Sequence, residues 1–223
     1  MKNKYYYWIS TAFKNSLIVL VACLLYGFIM YVGTEKISLS DIISETIMFY
    51  YLMISTAFIS VFTFSNVPFM TDIALSLGST RKDIVKGIHI FNSILIILFT
   101  IFLIILGMLS KNNIFEIFRG IITYSASLII SIGISSFISA GTLKKGAKLG
   151  LLYAISTLLS VAIPLISLFF SGTFKMMTRN NVPADFGSKE IIVTVITICF
   201  GIVAYIVGSL KMRTQLLVHE VRI

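Results

Sequence analysis

Charge is scarce in this chain. Asp, Glu, Lys and Arg make up 12% of its 223 residues, against about 25% in a soluble domain. A water-soluble protein with 57% apolar residues would expose large sticky patches, so a soluble globular fold is excluded. Cysteine is equally sparse. Cys23 and Cys199 both lie inside apolar runs, where a free thiol behaves as a small hydrophobe; this leaves no disulfide framework and no metal site. Leu20-Val21-Ala22-Cys23 has the form of a lipoprotein cleavage box. Leu24, Leu25, Tyr26, Phe28, Ile29 and Met30 continue the apolar run that such a box should end. The same continuation, with no small-x-small site after it, argues against a cleaved signal peptide.

Groups for catalysis are also missing. The two histidines, His89 and His219, stand far apart and form no His-Glu-x-x-His pair. His89 reads as an interfacial side chain, with a proton relay as the sharper alternative. Gly78-Ser79-Thr80-Arg81-Lys82 lacks the spacing of a phosphate-binding P-loop. Charges deep inside apolar runs mark ion or proton paths, and they are nearly absent; Glu45 is the nearest case, placed to reach the headgroups. No catalytic constellation emerges, and the chain does not read as an enzyme.

What is present is a series of apolar runs near 20 residues long, each sufficient to cross a bilayer as a helix. They lie near Ser16–Val32, Ile43–Phe64, Gly87–Leu109, Gly120–Thr142, Leu149–Phe170 and Glu190–Leu210. With no water in the hydrocarbon, backbone groups must pair within a helix or a closed barrel. Barrel strands would be about ten residues of alternating polarity, so the runs predict helices. The fold class is therefore all-α: a polytopic membrane protein with six transmembrane helices in one domain over 1–223. Lys4–Lys14 carries Tyr5, Tyr6, Tyr7, Trp8 and Phe13 beside its lysines. It reads either as an N-terminal interfacial helix or as the aromatic belt of a long first helix. The fourth run holds Ser125, Ser127, Ser131, Gly133, Ser135, Ser136, Ser139 and Gly141. Small residues let helices approach closely, so this helix is expected to be central or to line an interface. Ser127, Ser131 and Ser135 are the translocation or interface candidates, expected to face protein and not lipid.

Loop charges set the orientation. Lys2, Lys4, Lys14, Arg81, Lys82, Lys86, Lys144, Lys145, Lys148, Lys211, Arg213 and Arg222 fall on one side. Lys36, Lys111, Arg119, Lys175, Arg179 and Lys189 fall on the other, with most of the carboxylates. The first side, carrying essentially the whole +9 net charge, is expected to be cytoplasmic and to hold both termini. The basic residues favour the anionic leaflet as partner, and nucleic acid is not expected.

The stretch Asn66–Gly87 between the second and third runs is the most informative. Helical spacing puts Phe69, Ile73 and Leu77 on one side, Gly78 permits a sharp turn, and Thr80-x-x-Asp83 has the form of a capping box. The expected object is a short helix, a glycine corner and a basic helix start. Long structured connectors tend to be functional, although a plain connector with basic residues for topology is the simpler reading.

Leu75-Ser76-Leu77-Gly78-Ser79-Thr80-Arg81-Lys82-Asp83-Ile84 resembles the leucine-glycine-small-small-arginine-basic segment of ABC transporter permeases. The layout of six runs with a larger last outer loop is similar to the ABC-2 type (type V exporter-like) class. The resemblance implies a permease subunit in a bacterial cytoplasmic membrane, paired with a second permease, identical or related. It implies a separate pair of ATPase subunits carrying ATP and Mg, with no cofactor in this chain. The coupling helix that contacts the ATPase would be Thr71–Asp83, with Asp72, Leu75, Leu77, Gly78, Ser79, Thr80, Arg81, Lys82 and Asp83 as contact residues. Lys4–Lys14 would lie at the same interface, and Ser171–Lys189 would form a re-entrant outer hairpin, for which it is short. The implied cargo is amphipathic or hydrophobic: a peptide, antimicrobial or cytolytic among them. The alternatives are a stand-alone secondary transporter or channel, an intramembrane enzyme, and a membrane sensor or assembly factor. Absence of intramembrane charge weighs against the first of these, and absence of a His/Asp/Glu cluster against the second.

Overall fold

The structure is a computed structural model that describes residues 5–33, 43, 47–76, 78–109, 114–145, 150–170 and 188–218. Six long helices account for nearly all of them: α1 (Tyr6–Gly33), α2 (Met48–Ser76), α3 (Arg81–Leu109), α4 (Ile114–Lys145), α5 (Gly150–Phe170) and α6 (Ser188–Val218). There is no strand among the described residues. Five of the helices, α1 to α4 and α6, are long and apolar enough to cross a membrane over the described residues, and α5 contributes a shorter apolar stretch, Leu158–Leu168, among them. Their outward faces carry large apolar side chains, such as Phe28 and Ile29 of α1 and Ile202 and Val203 of α6. Such faces are stable only against lipid. The protein is a helical, membrane-embedded bundle.

Several expectations fall outside the described residues: the turn at 34–36, Glu45, Leu77, the outer segment 171–187 and His219. The side chains of Phe69, Asp72, Lys144 and Lys145 do as well.

Side-chain contacts fix the helix directions. Trp8 meets Phe91, so α1 and α3 run the same way up the bundle, as the shared lining of Leu17 and Leu20 with Ile101 and Ile105 higher up also requires. Tyr51 meets Phe99 while Thr63 bonds Asn92, so α2 runs opposite to α3. Ser55 meets Tyr124 and Ser139 meets Phe64, so α4 runs with α2. Gly201 lies against Ala126 and Gly208 against Gly133, so α6 runs with α4. The start of α1, the α2–α3 corner and the ends of α4 and α6 therefore gather at one end of the bundle.

α4 is the central helix, packed on α2, α3, α5 and α6, most extensively on α6. A Cβ added to Gly208 would lie 2.2 Å from the Gly133 carbonyl oxygen, and one on Gly133 would lie 2.4 Å from the Ala204 carbonyl carbon. Only hydrogen at these positions allows the two backbones to meet, and close backbone approach is what associates helices in lipid.

Two prolines sit inside helices, and each removes a hydrogen bond to the carbonyl four residues earlier. Pro164 in α5 cannot donate to Ser160, and the Ser60 hydroxyl of α2 reaches that carbonyl at 3.0 Å. Pro68 in α2 cannot donate to Phe64, and the Ser139 hydroxyl of α4 donates to that carbonyl at 2.7 Å. A neighbouring helix thus satisfies each carbonyl that a proline would leave bare in hydrocarbon.

Two expectations need correction. Of the two readings of the aromatic segment, the interfacial helix gives way to the long first helix: among the described residues it forms the start of α1, one 28-residue helix. Trp8, which would anchor such a segment in headgroups, is instead buried, with its indole against Gly87. Nor is there a short independent helix before the corner. α2 continues for 29 residues to Ser76, because Ser139 compensates the one backbone bond that Pro68 removes.

Candidate functional site

The α2–α3 corner is built by two backbone motifs placed end to end. The Gly78 N–H donates to the Leu75 carbonyl at 3.0 Å, and the Ser79 N–H donates to the Ala74 carbonyl at 2.9 Å. This pair of bonds is the Schellman helix stop, which needs a left-handed residue at its turn, and Gly78 has φ 78°. Two residues later α3 starts. The Thr80 hydroxyl accepts from the Asp83 N–H at 3.2 Å and donates to the Asp83 carboxylate at 2.8 Å. The Ile84 N–H closes the first turn on the Thr80 carbonyl at 3.1 Å. Thr80 thus caps the start of α3 through the Asp83 N–H, the N-cap half of the box expected from Thr80-x-x-Asp83.

Other helices are tied to this corner. Arg81 donates to the Leu217 carbonyl at 2.6 Å. This carbonyl lies in the last described turn of α6, which runs to Val218, so the bond joins the start of α3 to α6 136 residues away. The Tyr5 hydroxyl approaches the Asp83 carboxylate at 3.5 Å, a long contact. One level deeper, His89 Nδ1 and the Tyr205 hydroxyl lie 2.9 Å apart, which joins α3 to α6. His89 is thus half-buried between helices and not a simple headgroup side chain. Lys211 lies over the Phe137 ring, 3.5 Å from its centroid, a cation–π contact between α6 and α4.

Among the corner residues singled out by sequence, Lys82 is exposed, Gly78 and Thr80 are exposed at the turn, and Ser79, Arg81 and Asp83 are half-buried. Leu75 packs against the core, while the nearby Ile73 is exposed. Lys82, Lys86 and Arg213 all present exposed side chains at this end. What sequence alone missed is that Arg81 already has a backbone partner 136 residues away. No local pattern announces a contact of that range.

Ser127, Ser131 and Ser135 lie elsewhere. All three are fully buried inside the chain's own bundle. With Thr123 and Ser139 they form a ladder of buried hydroxyls four residues apart, which is one face of α4. Across from it, α2 buries Ser55, Thr56, Ser60, Thr63 and Asn66. Most of these groups bond within the protein: Ser127 to the Tyr124 carbonyl at 2.7 Å, Ser131 to the Ser127 carbonyl at 3.1 Å, Thr63 to Asn92 at 3.1 Å. Ser135 Oγ and Asn66 Nδ2 have no partner. These serines are covered without any second subunit, so they form no surface for one; lining a path would require α2 and α4 to part.

Among the described residues no cluster of His, Cys, Asp or Glu could hold a metal ion. The chain matches no protein-family model, no curated protein and no solved structure.

Proposed function

We propose that this chain is the permease subunit of an ATP-driven exporter in a bacterial cytoplasmic membrane. It crosses the membrane six times, α5 included, with both termini and the Gly78 corner in the cytoplasm. A separate ATPase pair binds ATP and Mg beneath it, and a second permease completes the pathway. The cargo is amphipathic or hydrophobic, with a peptide the leading class.

The observation that carries this reading is the hydrogen bonding that closes the corner. A coupling element must pass force from a soluble motor into the spans. Here a Schellman stop abuts a capped helix start, and Arg81 ties the start to the end of α6. The exposed cations at this end, Lys82, Lys86 and Arg213, match the enrichment of Lys and Arg on cytoplasmic faces. A second reading, a stand-alone channel or transporter, draws on the buried hydroxyls between α2 and α4 and on the unpartnered Ser135 and Asn66.

The test is purification in mild detergent from native membranes, followed by Mg-ATP hydrolysis in the eluate. The reading expects an ATPase to co-purify, and Lys82→Glu to lose it while membrane insertion stays normal. Lys82 is the better probe than Arg81, whose replacement would also release α6. An eluate without ATPase, or a Lys82→Glu chain that retains it fully, overturns the coupling role. Transport by the chain alone in liposomes establishes the second reading instead.

A further inference from the structure

α1 carries one charged side chain, Lys14, and it stands on the wrong face for a soluble contact. The exposed residues of α1 recur as Phe13, Leu17, Ile18, Val21, Leu24, Leu25, Phe28, Ile29 and Val32. That stripe recurs at three- and four-residue spacing, so it is one helix face, and in a membrane it is the lipid face. Lys14 is exposed on the same face. A cation among apolar groups facing lipid is unfavourable unless an anion or water reaches it.

Beside Lys14 a groove of about 370 Å³ opens between α1 and α3, floored by α2. Its walls include Leu17 and Leu20 of α1, Tyr51 of α2, and Phe99, Ile101 and Ile105 of α3, and the lining contains no carboxylate. Leu17, Ile101 and Ile105 are about half exposed, so the groove opens sideways to the bilayer. Its floor is fixed, because the Tyr51 hydroxyl donates to the Phe99 carbonyl at 2.8 Å and its ring packs edge-on to Phe102. Trp8, buried on Gly87 near the corner end of α3, lies six residues before Lys14, about 9 Å along the helix. Helical side chains lean toward the N-terminus, and lysine stems extend along apolar surface while the head seeks polar ground. A Lys14 stem extended that way carries its ammonium toward the headgroup layer on the corner side, while the rest of the lining continues along α1 and α3 into the hydrocarbon.

We propose that this groove is a binding site for one anionic phospholipid, with an acyl chain between α1 and α3 and the headgroup phosphate on Lys14. Two features of the groove pick this occupant. The walls are mostly aliphatic and aromatic and open to lipid; the Ser16 and Tyr51 hydroxyls in the lining are engaged by the Phe13 and Phe99 carbonyls, and the one charged group in the lining is a cation, Lys14. A zwitterionic lipid would fit the groove but carries no net charge for Lys14. The site is independent of the exporter reading, since it concerns the face of α1 away from the corner contacts.

The experiment is native mass spectrometry of the full chain in mild detergent, after stripping and exposure to vesicles of equal phosphatidylglycerol and phosphatidylcholine. The wild-type chain is expected to retain phosphatidylglycerol preferentially. Lys14→Gln is expected to lower that retention about fivefold, the worth of one lysine near an anionic headgroup, with phosphatidylcholine unchanged. Lys14→Arg keeps the preference. Ile101→Trp fills the groove and removes both lipids; Leu17→Trp fills it from the opposite wall if the first variant does not purify as a single species. Excess inorganic phosphate leaves the lipid bound. Unchanged phosphatidylglycerol retention in Lys14→Gln, unchanged retention in both groove-filling variants, or displacement by inorganic phosphate overturns the proposal.

Discussion

The hydrogen bond from Ser60 to the Ser160 carbonyl makes a prediction that can be separated from ordinary packing. The carbonyl needs this donor only because residue 164 is proline, so the value of Ser60 should depend on what occupies position 164. Ser60 has one hydroxyl proton, and it stands between the Thr56 carbonyl at 2.9 Å and the Ser160 carbonyl at 3.0 Å. Both residues are fully buried, so water does not replace the lost bond. Interhelical hydrogen bonds in membranes average about 0.6 kcal/mol and reach about 1.7. Loss of an acceptor contact at a buried carbonyl that Pro164 already denies its own helix's N–H adds to that. Ser60→Ala should therefore destabilise the bundle by about 1 kcal/mol. In a Pro164→Ala background the new N–H at 164 can return to the Ser160 carbonyl, and Ser60→Ala should then matter by only a few tenths. The coupling, about 1 kcal/mol, is read from a double-mutant cycle on unfolding in mixed micelles. The stability change from Pro164→Ala itself cancels in the cycle. Equal effects of Ser60→Ala in both backgrounds would show that Ser60 acts by packing alone, and the proline-compensation argument would be wrong.

Gly208→Val should separate α4 from α6, since even its Cβ would stand 2.2 Å from the Gly133 oxygen. Overpacking of this kind costs about 1–3 kcal/mol, and cysteine pairs across α4 and α6 should cross-link more slowly in the variant. Gly78→Ala faces open space, so only its backbone conformation opposes it, at about 1–2 kcal/mol. Thr80→Ala removes the cap at about 1 kcal/mol. Both corner variants should speed hydrogen exchange at the start of α3 while leaving exchange in its apolar middle unchanged.

The sequence displayed the helices and the corner well, for physical reasons. Long apolar runs leave the backbone no alternative to the helix, and Gly78 followed by Thr80-x-x-Asp83 is local chemistry acting over a few residues. Boundaries were less legible. The second apolar run ends at Phe64, where polar residues begin, but α2 continues to Ser76, and Ser139, 75 residues away, donates to the Phe64 carbonyl that Pro68 cannot reach. Likewise the aromatic start of α1 reads as interfacial by composition. Trp8 is buried because Gly87 leaves a recess for the indole on a different helix. The serine ladder of α4 was legible as a small-residue face. That it faces α2 within the same chain was not, because periodicity gives the face of a helix but not its neighbour.

The long-range contacts also change which side chains can meet a partner. Arg81 looks in sequence like the obvious cation of the basic corner, but its guanidinium is engaged by the last turn of α6. Lys82, one residue on, is exposed. The division suits a coupling element, in which one basic residue transmits and its neighbour contacts. From the Phe64 carbonyl held by Ser139 to the end of α2 at Ser76 is twelve residues of helix, about 18 Å at 1.5 Å per residue. A push on the corner therefore reaches α4 through that segment and α6 through Arg81. Those are the two helices whose backbones touch at Gly133 and Gly208. The pair would move together, and Ser135 Oγ and Asn66 Nδ2, buried on α4 and α2, are polar groups with no hydrogen bond to break in such a movement.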